Sequence, residues 1–307
     1  MTPAHTHAFR GIWPAMLTPL TESLEIDHDA FATHALALLD AGCGGVTAFG
    51  TTGEGPSFSV AERMAAVEAL VARGVPAQRL MVSTSCAAVT DTVALTKHAV
   101  NLGVHGCLVL PPFFFKGVSD QGVIDAYRWL IDRVADPRLR LYLYHIPQVA
   151  GVGLSHGVIR SLLAQYPDTI AGIKDSGCDQ VFSVGLAQAF MPPLTVYVGF
   201  EPDLPALGRL GSTGAISGLA NFAPRLVHRL VAQPDGPDAA RDLARVKALL
   251  TVFDGFSLMP ALKGVMAERD GDARWLRVRP PLVALPAGEQ AELRRRLQAL
   301  GLDAARD

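Results

Sequence analysis

Thr169-Ile-Ala-Gly-Ile-Lys-Asp-Ser176 is an apolar run broken by a single lysine. Apart from Lys174 it reads as a strand buried on both faces, the kind that occurs in parallel sheets covered by helices. Only five of the chain's 27 basic residues are lysines, so a surface cation here would more often be arginine. In a strand, Ile170, Gly172 and Lys174 share one face and Ala171, Ile173 and Asp175 the other, with Gly172 expected to clear space beside the ammonium. A lysine must shed roughly 3 pKa units from about 10.4, about 4 kcal/mol, to be a free amine at neutral pH, and burial pushes in that direction. Such an amine attacks a ketone to form a Schiff base. The alternative is a lysine at a strand end whose ammonium snorkels to solvent.

Seven other short apolar runs match this one: Gly11 to Thr18, Gly45 to Gly50, Leu80 to Thr84, Gly106 to Leu110, Leu139 to Tyr144, Leu194 to Val198 and Gly214 to Ser217. Helical patterns lie between them. Phe31, Ala35, Leu38 and Leu39 recur at helical spacing before Gly42. Ser59-Val-Ala-Glu62 has capping-box spacing, and Ser155 can cap a helix with Val158, Leu162 and Leu163 on its core face. The βα unit thus repeats eight times, which predicts an α/β fold: a closed (β/α)8 TIM barrel rather than an open sheet, since no Gly-rich dinucleotide turn follows the first strand. After about Pro224 helices dominate, over Arg225 to Ala232, Ala239 to Val252, Pro260 to Arg269 and Ala287 to Leu300. The expected organisation is a barrel over 1–232 and a C-terminal helical extension over 233–307, packed as one unit without a linker.

At 307 residues the chain suits one such barrel. A net charge of -2 with 18% charged residues leaves no basic surplus for nucleic acid. No apolar stretch reaches membrane-span length, and the start lacks a signal-peptide pattern, so a cytoplasmic protein is expected. Cys43, Cys86, Cys107 and Cys178 are scattered and read as small buried hydrophobes. The histidines do not gather at ligand spacing, His5 and His7 falling in an expected frayed terminus, and no metal is predicted.

Barrel chemistry sits at the carboxyl ends of strands. Thr51, Thr52, Phe113 to Phe115, Tyr144, His145, Lys174 to Ser176, Glu201 and Ser217 pass that filter. In Gly50-Thr-Thr-Gly-Glu-Gly55 two hydroxyls and backbone N–H groups can converge on an anion directly before a helix, or form a plain turn. Tyr144 shares a face with Tyr142 and could relay a proton, or be a satisfied core tyrosine. His145 points the other way and is read as structural.

GTTGEGPS at Gly50 to Ser57, YHIP at Tyr144 to Pro147, GIKDS at Gly172 to Ser176 and GSTGAIS at Gly211 to Ser217 together resemble the dihydrodipicolinate synthase and N-acetylneuraminate lyase family, from Gly11 to the RPPL stretch at Arg279 to Leu282. The resemblance implies a cofactor-free class I aldolase acting on pyruvate and an aldehyde, usually a homotetramer. Lys174 would form the Schiff base, Tyr144 would relay protons, and Thr51 with Thr52 would bind the 2-oxo acid carboxylate. Ser176, Glu201, Ile216 and Ser217 are further substrate-binding candidates.

Two departures argue against lysine biosynthesis. Val149 stands where the synthases carry a carboxylate-gripping arginine, and valine cannot replace that bidentate partner. Phe113, Phe114 and Phe115 stand where the synthases place a tyrosine that reaches a neighbouring subunit. Gly199-Phe-Glu-Pro202 also keeps one carboxylate of the pair with which sialic-acid lyases hold sugar hydroxyls. The expected reaction is cleavage or condensation of a 2-oxo-3-deoxy sugar acid, with a neutral, hydroxylated aldehyde as partner. A keto-deoxy acid dehydratase using the same imine and a catalytically idle, ligand-sensing barrel are the alternatives. The apolar Pro111 to Phe115 loop fits a subunit contact or an active-site lid.

Overall fold

The computed structural model describes residues 11–192, 194–212 and 214–301. His5, His7 and Thr213 of the GSTGAIS stretch lie outside them. Strands and helices alternate as the apolar pattern predicts: β1 (Gly11–Ile12), α1 (His28–Asp40), β2 (Val46–Ala48), α2 (Val60–Ala72), β3 (Leu80–Ser83), α3 (Val89–Asn101), β4 (Gly106–Val109), α4 (Asp120–Val134), β5 (Leu141–His145). There follow α5 (Pro147–Ala150), α6 (His156–Gln165), β6 (Ile170–Asp175), α7 (Gln180–Phe190), β7 (Thr195–Val198), α8 (Leu204–Arg209), β8 (Gly214–Ala215) and α9 (Pro224–Ala232). Then come α10 (Ala239–Val252), α11 (Leu258–Asp270) and α12 (Ala287–Ala299).

The strands pair in parallel in the order β1-β8-β7-β6-β5-β4-β3-β2. The ring closes where Ala15 bridges Thr47 in parallel, Met16 N–H donating to Thr47 O at 2.9 Å and Thr47 N–H to Pro14 O at 2.8 Å. This is the expected (β/α)8 barrel with C-terminal helices. The first strand, expected to run to Thr18, pairs regularly only at Gly11–Ile12. Pro14 has no N–H to give the ladder, so the chain continues by isolated bonds.

The caps legible in the sequence form. Ser59 and Glu62 make both halves of a capping box on α2, and the Ser155 hydroxyl accepts from Val158 N–H at 3.1 Å at the start of α6. On α6 the buried face is Val158, Ile159 and Leu162, while Leu163 is only half-buried.

Side chains separate into an outer layer between strands and helices and an inner layer filling the barrel with Trp13, Met81, Leu108, Tyr142, Tyr144 and Tyr197. The register between β5 and β6 corrects the alternation expected for the lysine strand. Leu141 pairs with Ile170 but Tyr142 pairs with Gly172, leaving Ala171 as an extra, bulged residue. Ile170 therefore joins Ile173 in the outer layer and Ala171 packs against the inner one. Gly172 does not clear space for Lys174: a Cβ there would lie 2.7 Å from the Tyr142 ring and 2.6 Å from Thr195 O. It makes room for Tyr142 inside the barrel.

The C-terminal helices are tied back to the barrel. Arg279 donates to Leu24 O at 2.7 Å, Ser57 O at 3.1 Å and the Glu62 carboxylate at 2.5 Å. Among the described residues no helix is long and apolar enough to cross a membrane. Cys43 and Cys107 are buried as expected, but Cys86 is half-buried and Cys178 exposed. Cys178 sits in the loop after β6 with its backbone at φ +57°.

Candidate active site

Adjacent strands bring Lys174 and Tyr144 together as a register pair. Lys174 is 4% exposed, and its Nζ stands 4.4 Å from the centroid of the Tyr144 ring. The Tyr144 hydroxyl lies 3.3 Å from Thr51 Oγ1. Asp175 faces away from this group, accepting from Ser183 Oγ at 2.6 Å and Gly177 N–H at 2.9 Å. All of this sits in a cavity of about 460 Å³ at the carboxyl ends of the strands. Of the residues singled out in the sequence, Lys174, Tyr144, Thr51, Thr52, Ser176, Glu201 and Ile216 line it.

Ser217 does not line it. Its hydroxyl is fully buried, donates to Glu201 Oε1 at 2.5 Å and accepts from Ala220 N–H at 3.1 Å. The Ser217 hydroxyl thus holds Glu201 in place, and Glu201 rather than Ser217 lines the cavity. The Ser176 Oγ is the reverse case: buried, with no hydrogen-bond partner among the described residues. An unpartnered buried hydroxyl costs free energy in the absence of a ligand. The glycine that opens this corner is Gly199, where an added Cβ would overlap Ser176 Oγ and lie 2.9 Å from Lys174 Cε.

The loop after β2 is a strained turn. Phe49 and Glu54 both hold positive φ, at +60° and +56°, and a Cβ at Gly53 would lie 2.7 Å from Met16 O. The helix expected directly after residues 50–55 starts later than the sequence suggests. A single 3-10 turn at Gly55–Ser57 follows, and α2 starts at Val60. An anion here would therefore rest on the loop itself, where the Thr51 and Thr52 N–H groups donate to no other described backbone group.

Sequence reading missed three parts of the wall. Gln148, from the short α5, donates to Ser176 O at 2.6 Å. Cys178 lies beside it. Leu250, Phe253, Leu258, Met259 and Leu262 come from the C-terminal helices, whose amphipathic pattern gave no sign of which residues look into the barrel mouth. His145 is structural as expected: its Nδ1 accepts from Leu154 N–H at 3.0 Å and its ring stacks on Phe182 at 4.4 Å. Burial lowers its pKa.

Residues 8–300 match the Dihydrodipicolinate synthetase family. The chain belongs to that family. Its members are lyases of the class I aldolase type that use pyruvate, and this chain is an enzyme of that class. An uncharacterized DapA-like lyase of Chloroflexus aurantiacus is 38% identical over 289 residues, 93% of this chain and 95% of the relative. Dihydrodipicolinate synthase from Agrobacterium tumefaciens superposes with a TM-score of 0.89 at 31% identity, covering 94% of this chain and 99% of that one. YagE of Escherichia coli K12, named as a candidate 2-dehydro-3-deoxy-D-gluconate aldolase, is 30% identical over 96% of this chain and 98% of its own. Its structure in complex with pyruvate has a TM-score of 0.87.

Within the family this chain's two departures fall in different places. Val149 lines the cavity and is 57% exposed, an aliphatic side chain at the mouth. Phe113 packs against the inner layer, while Phe114 and Phe115 form an exposed edge-to-face pair 5.2 Å apart. None of the three lines the cavity.

Proposed function

We propose that this protein cleaves, or in reverse builds, a 2-oxo-3-deoxy acid through a Schiff base on Lys174, giving pyruvate and an aldehyde. The observation that carries this is the buried Lys174 amine over the Tyr144 ring at the floor of a cavity that opens to solvent. Thr51 and Thr52 hold the carboxylate by hydroxyl and N–H donors. Lys174 Nζ adds to C2, the carbinolamine hydroxyl takes the Tyr144 phenol proton and leaves as water, and the protonated imine becomes the electron sink beside a Tyr144 phenolate. The C4 hydroxyl gives its proton to the Tyr144 oxygen, which the Thr51 hydroxyl supports. The C3–C4 bond then breaks, its electron pair passing into the enamine, and the aldehyde leaves. The enamine takes that proton back from Tyr144 at C3, and water hydrolyses the pyruvate imine, restoring the Lys174 amine and the Tyr144 phenol.

The unpartnered buried hydroxyl of Ser176 supports a role for it in binding the C4 oxygen. Glu201, fixed by Ser217, presents its second oxygen, and Ile216 packs beside the pyruvyl group. Val149 leaves no cation for a second carboxylate, which supports a neutral aldehyde over an amino-acid semialdehyde. The same reading makes the enzyme cytoplasmic and a homotetramer, with the exposed Phe114–Phe115 pair at a subunit contact.

The test is borohydride reduction in the presence of pyruvate, followed by intact mass and peptide mapping, with Lys174→Ala as control. The expected result is a reduced adduct on Lys174 and retro-aldol release of free pyruvate from a 4-hydroxy-2-oxo acid. An adduct with dehydrated product and no free pyruvate would assign a dehydratase. A folded wild-type protein giving no adduct would leave an idle barrel.

A further inference from the structure

The wall of the cavity changes character away from Lys174. Its polar groups gather at the pyruvyl end, where Thr51, Thr52, Tyr144 and Lys174 stand together. Three more polar side chains follow, and two are already partly engaged. Gln148 gives its Nε2 to Ser176 O at 2.6 Å, and Glu201 Oε1 takes the Ser217 hydroxyl at 2.5 Å. The Ser176 hydroxyl is left for the C4 oxygen, and one Glu201 oxygen with the rest of the Gln148 amide for the next group along the chain.

Beyond these the wall is aliphatic and aromatic. Leu250 comes from α10 and Phe253 from its C-cap, Leu258, Met259 and Leu262 from α11, and Val149 from the short α5. A polyhydroxylated chain extending past C4 would set its outer hydroxyls against side chains that offer them no hydrogen-bond partner, which opposes binding. An alkyl or aryl group would leave water for the same surface and gain by it.

We propose that the aldehyde half of the substrate is apolar: a 4-hydroxy-2-oxo acid carrying an alkyl or aryl group on C4, cleaved to pyruvate and the corresponding aldehyde. The proposal rests on the lysine-imine reading and adds the substrate class. The step balances as before: the C4 hydroxyl proton goes to Tyr144, the C3–C4 electron pair to the imine, and the R–CHO leaves without a co-reactant. The C-terminal helices thereby set specificity, while the barrel strands carry the chemistry.

The experiment is aldol condensation by the purified full-length protein, with pyruvate and one of butanal, benzaldehyde or D-glyceraldehyde, and borohydride trapping in parallel. The expected kcat/KM for butanal or benzaldehyde exceeds that for D-glyceraldehyde by about tenfold or more. Leu258 is 48% exposed and belongs to neither buried core cluster. Leu258→Asn is expected to narrow the ratio by about fivefold, a readout that partial unfolding does not move. An adduct on Lys174 together with equal rates, or with D-glyceraldehyde preferred, overturns the apolar substrate and leaves the imine mechanism standing. No adduct in the folded wild type overturns both.

Discussion

Lys263 of α11 reaches across to the carboxylate of Glu54 in the loop after β2, and neither side chain touches solvent. The Lys263 ammonium also donates to Arg277 O at 2.7 Å. This pair joins the C-terminal helices to the turn that carries Thr51 and Thr52. Desolvation dominates at both ends, raising the Glu54 pKa and lowering that of Lys263. The pair is therefore costly to bury and costlier to break. Lys263→Met should destabilise the protein by about 3–5 kcal/mol, because Glu54 is left buried without its ion-pair partner. Adding Glu54→Leu should recover most of that loss. A double-mutant cycle in urea checks it, and simple additivity of the two single losses would show that the charges do not act as a pair.

Tyr144 carries no bond that the fold requires beyond its packing in the inner layer and the 3.3 Å contact to Thr51. Tyr144→Phe should keep the ring beneath Lys174 and remove the proton carrier. Turnover is expected to fall about 10²–10⁴-fold, with the thermal midpoint little changed and a Lys174 adduct still trapped at long incubation. Wild-type turnover in this variant would place the proton relay on another group.

The barrel and its lysine were legible because each depends on short-range pattern. Strand runs such as Leu80 to Thr84 and helices such as Phe31 to Leu39 carry their own periodicity, and a lysine inside an apolar run is conspicuous. What escaped reading depends on pairing across the fold. The bulge at Ala171 exists only in the register of β6 against β5, so it moved Ile170 to the other layer and gave Gly172 a different neighbour. Ser217 and Glu201 each look like a free ligand group until the 2.5 Å bond between them is known. The apolar wall from α10 and α11 was hidden for the same reason: a leucine on an amphipathic helix reads as core whether it packs on protein or faces a cavity.

Gly199 was read only as part of a motif, yet its missing Cβ is what lets Ser176 and Lys174 stand side by side. Gly199→Ala should push the Lys174 methylenes and the Ser176 hydroxyl apart, while the Asp175 carbonyl, 2.9 Å from the added Cβ, resists compensation by the backbone. A displacement of about 1 Å costs on the order of 10²-fold in rate. Rates of borohydride trapping with pyruvate, set beside a circular dichroism melt, separate this from unfolding. Trapping at the wild-type rate in a folded Gly199→Ala protein would remove Gly199 from the account of Lys174.

Two buried histidines make stability depend on pH. His34 lies 2.9 Å from Asn221 Oδ1, and burial lowers its pKa from 6.5 to about 4. His105 contacts the Tyr142 hydroxyl at 2.8 Å, and burial again brings its pKa to about 4. Both remain neutral in the folded protein at a pH where the unfolded chain binds the proton. Stability is thus fully present above pH 6.5 and is lost as pH falls from 6.5 toward 4, by about 3 kcal/mol for each histidine over that window. Between pH 7 and 5 the expected loss is about 2 kcal/mol for each. His34→Gln preserves a donor toward Asn221 and removes one titration, so its urea midpoint should vary less between pH 7 and 5 than that of the wild type. A pH dependence in the variant equal to the wild type's would mean that His34 binds its proton alike in both states.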